Sequence, residues 1–182
     1  ESALRESQDR FRAVVDSSPA AISLKDLDGR YLLVNKTYGG WMNRAPSEVV
    51  GLTAHDIVSE VEALDVDARE REILKSGTEH VYEAQRNFGD GVARTVLTHK
   101  CPIRSASGEI VAISSVITDI SDRKRAEDEL QESQAQLRTI IESSPGAVVF
   151  RDLSGRNLIV NKTFEEWYAV SREWIIGKTM VD

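Results

Sequence analysis

The stretch Asp119–Ser144, DISDRKRAEDELQESQAQLRTIIESS, closes one unit of the chain and opens the next. It contains a near-copy of the chain's beginning. ESQDRFRAVVDSSP (Glu6–Pro19) returns as ESQAQLRTIIESSP (Glu132–Pro145), an offset of 126 residues. At that offset, residues 6–56 align with 132–182 without a gap, and 21 of 51 positions are identical. The substitutions keep physical character, as in Phe11 to Leu137, Val14 to Ile140, Lys25 to Arg151 and Tyr38 to Phe164. A period this long marks whole domains joined by similar connectors, not a solenoid of short repeats. The reading is one complete unit followed by the first part of a second.

At about 105 residues between connectors, the first unit is long enough for its own core. The chain is 41% hydrophobic and 29% charged, an ordinary globular balance. It has no apolar run of transmembrane length and no signal peptide. Because the chain opens in mid-connector, it is expected to belong to a longer protein, whose membrane anchoring stays open. A net charge of −7 argues against nucleic acid as partner, and Arg123-Lys124-Arg125 is too short a basic run to reverse that. A single cysteine excludes an internal disulfide and fits a reducing, cytoplasmic setting.

Residues 1–17 read as an amphipathic connector helix, with Leu4, Phe11, Val14 and Val15 on one stripe and Pro19 as the stop. Strands are expected over 21–26 and 31–35 around a hairpin turn at Gly29. Asn35 caps a short helix over 36–42, and Pro46 starts another that ends at Gly51. A helix within 56–75 would bury Ile57, Val61, Leu64, Ala68 and Leu74 and end at Gly77. Strands 81–87, 93–103 and 110–120 follow, and the last, apolar or small nearly throughout, reads as central and buried on both faces. The expected fold class is α+β: a five-stranded antiparallel sheet with short helices on one face, flanked by amphipathic helices. From Asp122, Ala126, Leu130, Ser133, Leu137 and Ile140 keep a heptad spacing that Leu4, Ser7, Phe11 and Val14 match one period earlier. This seam fits a parallel coiled coil in a homodimer, or a helix packed on its own domain.

These residues resemble a PAS domain. The resemblance rests on SSP, a strand and DLDGRYLLVNKTY, then PSEVVGLTAHD, KCPIRSASGEIVA and the closing VITDISDRKRAEDEL. It implies an organisation of 1–17 connector helix, 18–121 PAS domain, 122–143 helical linker and 144–182 the truncated first part of a second PAS domain. It also implies a cytoplasmic sensory or relay module of a bacterial signalling protein, foremost a sensor histidine kinase, passing strain through the linker to an output domain. Input to a cyclic-di-nucleotide synthase or hydrolase, and a ligand-free dimerisation module, are the alternatives.

The resemblance also bears on cofactors. Ala54 stands where light-sensing relatives carry their flavin-reactive cysteine, which excludes that photochemistry. No histidine lies between Asp56 and His80 to act as the axial ligand of a haem-binding relative. The ligand is therefore unknown, with a small organic molecule possible. His55, His80 and His99 are too scattered for a zinc site, and Cys101 reads as a small buried hydrophobe. No nucleotide loop, phosphoacceptor histidine motif or nucleophile–base set is present, so no catalysis is expected of the chain itself.

By strand alternation and this resemblance, the cavity side carries Ala21 and Ser23, then Tyr82, Ala84 and Arg86, then Val96 and Thr98, then Ile113, Ser115 and Ile117. Ile22, Leu24, Leu97 and His99 face the other way. An inward Arg86 suits a carboxylate or phosphate; alternatively it pairs with Glu83, Glu109 or another surface acid. Asp119, paired with Arg123 or Lys124, is expected to fix the direction of the exit helix. Residues 146–182, without counterparts of the three later strands, are expected to lean on the connector or on another chain.

Overall fold

The computed structural model describes residues 2–179 and divides into two units, Glu1–Lys124 and Arg125–Asp182. In the first, helix α1 (Ser2–Asp16) leads into strands β1 (Ala21–Lys25) and β2 (Tyr31–Val34). Short helices α2 (Lys36–Trp41) and α3 (Pro46–Val49), a 3-10 turn (Ala54–Asp56) and the longer α4 (Glu60–Ser76) follow. Strands β3 (His80–Asn87), β4 (Ala93–Arg104) and β5 (Ile110–Asp119) complete an antiparallel sheet of order β2-β1-β5-β4-β3. The α+β class and the five-stranded sheet expected from the sequence are both present.

Local chemistry explains the punctuation. The Asn35 side chain accepts from the Tyr38 amide and caps α2. Ser59 and Glu62 form a reciprocal capping box at the start of α4. Gly77 ends α4 at φ +68°, a conformation that favours glycine, with its amide bonded to the Ile73 carbonyl. In the β3–β4 turn, a Cβ on Gly89 would sit 2.4 Å from the Met42 carbonyl oxygen, so only glycine lets the turn press against the end of α2.

The core lies between the inner sheet face and the helices, and contains Ala21, Tyr31, Val34, Tyr38, Met42, Val49, Phe88 and Val96. Two expectations are corrected here. Strand β5 is central but not buried throughout, because Val111 and Val116 are exposed. Helix α4 does not bury Val61 or Leu64: Val61 is 78% exposed, and the inward residues are Ala63, Glu70 and Ile73. A face carrying carboxylates for partners on the sheet defeats a periodicity counted on apolar residues alone.

Helix α5 (Ser121–Ser143) runs on from β5, and every residue from 125 to 140 is exposed. Leu130 is 60% exposed, as is Phe11 in α1. The second unit contains the hairpin β6 (Val149–Arg151) and β7 (Asn157–Val160), then α6 (Lys162–Tyr168) and α7 (Arg172–Ile175). Its core is small: Val160, Phe164 and Ile175, with Ala147, Val149 and Val170 against them. Glu142, near the end of α5, binds Arg172 and accepts from the Lys162 amide.

No helix among the described residues is long and apolar enough to cross a membrane.

Candidate functional site

A cavity of about 60 Å³ lies between the inner sheet face and α4. Strand alternation brings Ser23 and Lys25 of β1, Tyr82 and Arg86 of β3, Thr98 and Lys100 of β4, and Ser115 and Ile117 of β5 to its wall. Tyr31, Tyr38, Met42, Ala54 and Glu62 close the other sides. Of the residues singled out from the sequence, six therefore line the cavity: Ser23, Tyr82, Arg86, Thr98, Ser115 and Ile117. Val96 and Ile113 are buried in the sheet but do not reach it, and Ala21 belongs to the core. Ala54, the position a flavin-reactive thiol would need, is part of the wall.

Sequence reasoning missed the strongest feature of this wall. Lys25, Lys100 and Glu70 are all buried, and the Glu70 carboxylate receives both ammonium groups. Lys25 reaches its two oxygens at 3.1 and 3.2 Å, and Lys100 binds Oε1. Burial, only partly offset by Glu70 and reinforced by the Lys100 charge, lowers the Lys25 pKa below its ordinary value. The parity that places Ser23 and Thr98 inside also places Lys25 and Lys100 inside. Parity is the signal that could have found them, against the rarity of buried lysine.

Arg86 points inward and pairs with an acid, as one of the two readings had it, although the acid is neither Glu83 nor Glu109. It binds Asp65 of α4 at 2.5 Å, and Asp65 also receives Arg69 at 3.0 Å. Burial pushes the Asp65 carboxyl up, but the two arginine bonds outweigh it and hold the group below its usual range. Arg69 lies over the Tyr82 ring, 3.8 Å from its centroid. Tyr31 and Tyr38 share a hydroxyl–hydroxyl bond of 2.6 Å, and burial raises both phenols above their ordinary pKa.

The exit from the sheet also differs from expectation. Asp119 takes Arg94 as its ion-pair partner, at 3.3 Å, in place of Arg123 or Lys124, and accepts from the Ser121 amide at the start of α5. Arg94 is bound to Asp90 as well, and lies over the rings of Trp41 and Phe88. Arg123 and Lys124 reach across to Glu83 on β3, at 3.3 and 2.7 Å. The Lys124 bond is the main reason the Glu83 pKa is lowered. The first turn of α5 is thus held by β3 and β4, and Ser121 Oγ additionally accepts from the Thr95 amide. Asp119→Ala removes one partly exposed pair and one helix-start bond. It is expected to change stability by about 1 kcal/mol or less in urea denaturation. A loss several times larger would make Asp119 a folding residue and not a guide for the helix.

The family model described as the PAS fold matches residues 15–125. The chain belongs to the PAS family. Over 176 residues it is 27% identical to the methanogenesis regulatory histidine kinase FilI of Methanothrix harundinacea, covering 97% of this chain and 20% of that protein. It is 25% identical over 127 residues to the two-component sensor PprA of Pseudomonas aeruginosa, covering 70% of the chain and 14% of PprA. The chain therefore spans about a fifth or less of these relatives' length. Among solved structures, the PAS domain of Bordetella pertussis BvgS superposes with a TM-score of 0.56 at 20% identity, covering 72% of this chain and 98% of that one. VqmA bound to DPO gives 0.58 at 19%, covering 63% and 58%. At these identities the two structures speak for the fold alone.

Proposed function

We propose that this PAS domain is a cytoplasmic sensory module of a multidomain signalling protein of the sensor histidine kinase kind, and that its cavity takes a small anion. The charge inventory of the wall supports this reading. Asp65 serves Arg86 and Arg69, while Glu70 alone serves two buried lysines. At the Lys25–Glu70–Lys100 cluster two buried ammonium groups share one carboxylate, a local surplus of one positive charge unless Lys25 gives up its proton, and an unbalanced buried charge is costly. A carboxylate-bearing ligand would supply the missing negative charge and accept from Ser23, Thr98 or Tyr82. A volume of 60 Å³ holds about four to six water-sized groups, far below a flavin or haem pocket. The histidine kinase and two-component relatives supply the signalling context. In this reading the chain is not itself an enzyme, an output domain of the same polypeptide does the chemistry, and neither nucleic acid nor membrane is a direct partner.

Native mass spectrometry of the purified chain is the first test, followed by thermal shift with short monocarboxylates (acetate, propionate, lactate, pyruvate). One small ligand per chain, or a shift that Lys25→Met abolishes, is the expected result. A bare mass with no shift from any of these acids overturns it. That result would leave the second reading, a relay domain whose cavity is closed by its own side chains, which the small volume favours.

Signal output would pass from the cavity-lining Ser115 and Ile117 along β5 to Asp119 and into α5. The exposed seam of Leu4, Phe11 and Val14 in α1, and of Ala126, Leu130, Leu137 and Ile140 in α5, is where a homodimer would pair as a coiled coil. Leu130→Glu places a charge in that seam and is expected to shift the chain toward monomer in light scattering by about tenfold in dissociation constant. An unchanged mass at all concentrations would remove the coiled coil from the mechanism.

A further inference from the structure

The outer face of the sheet carries a second arrangement that the cavity does not use. His99 and Cys101 are two residues apart on β4, so their side chains leave the same face. In the ladder with β3, Val81 pairs with His99 and His80 with Lys100, which brings Glu79, just before β3, level with Cys101. The three ligand atoms converge. Glu79 Oε2 lies 2.8 Å from His99 Nε2, Cys101 Sγ lies 3.3 Å from that nitrogen, and Sγ lies 3.8 Å from Oε2.

We propose that Glu79, His99 and Cys101 form a binding site for a zinc-like transition-metal ion, with three protein ligands and an open fourth position. A tetrahedral zinc ion with ordinary bonds to sulfur, imidazole nitrogen and carboxylate oxygen holds such atoms about 3.3–3.7 Å apart. The observed triangle brackets that range. Only the Glu79–His99 edge must open, by about half an ångström on this scale, and the Glu79 side chain is exposed and free to do so. A thiolate, an imidazole and a carboxylate together select zinc, cobalt(II) or nickel(II) over magnesium or calcium, which prefer all-oxygen shells. Cys101 is half-buried, and an ordinary cysteine thiol carries its proton at neutral pH, so it enters the site as S–H. Binding replaces the thiol proton with the metal and releases that proton to solvent, so the metal keeps its oxidation state and no oxidant is needed. The scattering of the three histidines had argued against metal. The sequence did show His-x-Cys on one strand face, but its third ligand comes from across a hairpin.

Cobalt(II) is the direct probe, added to the purified chain under a phosphine reductant. One equivalent should give a thiolate-to-cobalt charge-transfer band with the visible bands of a tetrahedral site, and zinc should displace it. Zinc added to a weakly buffered sample should release at least one proton per ion bound. Cys101→Ser should abolish the charge-transfer band, and Cys101→Ser and His99→Ala should each weaken zinc binding by at least about tenfold. Glu79→Gln, on an exposed side chain, should keep the band and weaken binding, which keeps the test readable if a strand variant misfolds. His55→Ala removes a surface histidine that binds Glu60 and Asp67 elsewhere on the domain, and should change nothing. The proposal is overturned by the absence of a thiolate band, by zinc affinity in Cys101→Ser within about twofold of the parent chain, or by loss of binding in His55→Ala.

Discussion

Replacing Glu70 with alanine is expected to destabilise the first unit by about 3–5 kcal/mol, because it strands two buried ammonium groups. Alanine is the best helix former, so α4 itself is not penalised and the loss reports the missing carboxylate. The energy lies less in the attraction between Glu70 and its lysines than in what remains once it is gone. Lys25 and Lys100 are each about as buried as the carboxylate between them. The variant should answer to pH with a definite sign. Without Glu70 the folded state prefers neutral lysine, so the folded pKa falls further below the unfolded value of about 10.4. The unfolded chain then binds more protons throughout that window, and stability rises with pH up to about 10.4. Urea midpoints at neutral and alkaline pH test both points, and the gap between variant and parent should narrow at the higher pH. Replacing all three residues together, Lys25→Met, Lys100→Met and Glu70→Leu, should recover much of the loss, since no charge is then left unmatched. A loss under about 1 kcal/mol in Glu70→Ala, the size of a surface pair, would mean that water reaches the cluster.

Asn35→Asp, a change of one atom's chemistry, is expected to cost about 3 kcal/mol or more. The Asn35 side chain is fully buried and makes four hydrogen bonds. Its oxygen accepts from the Ile22 and Tyr38 amides at 2.9 Å each. Its nitrogen donates to the Val15 carbonyl at 3.0 Å and the Ala20 carbonyl at 2.9 Å. Aspartate keeps the first pair, but turns an oxygen toward two carbonyl oxygens, so both must lose their donor and repel it or the carboxyl must take up a proton. Denaturation gives the total. Hydrogen exchange should show the loss concentrated in the last turn of α1 and the start of β1. A variant as stable as the parent would mean that these carbonyls find other donors.

Much of this fold was legible in the residues, for reasons that also mark where legibility stopped. Strand alternation sorted Ser23, Tyr82, Arg86, Thr98 and Ser115 to one side because a half-buried sheet imposes a period of two whatever the residue type. Asn35 could be named as a cap because the Asn-Lys-Thr-Tyr run offers a short acceptor before free amides. Its further bonds to Val15 and Ala20 were not visible, since they depend on how α1 enters. Helix α4 failed by composition. Asp65 and Glu70 are tertiary partners of Arg86 and Lys25, separated from them by 21 and 45 residues, and no local pattern distinguishes such acids from solvated ones. Asp119 failed for a similar reason: Arg123 is nearer in sequence, but Arg94, on the neighbouring strand, is nearer in space.

The bonds around Asn35 recur at Asn161. That side chain accepts from the Val148 and Phe164 amides, and donates to Ile141 and Gly146. The flanking contacts recur with it. Asp16 and Glu142 accept from the amides of Lys36 and Lys162, and Thr37 and Thr163 donate to the carbonyls of Ser18 and Ser144. Each helix is therefore fastened to the unit that follows it by the same fitting, made of matching side chains 126 positions apart, with Glu142 standing for Asp16. Such a fitting behaves as a standard coupling. Whole units could be duplicated, deleted or exchanged at the serine pairs Ser17-Ser18 and Ser143-Ser144 without any joint having to be rebuilt. A chimera joining a foreign connector helix to this domain at Ser17 should dock properly if it supplies the acid of Asp16, and poorly if the cut falls a few residues to either side.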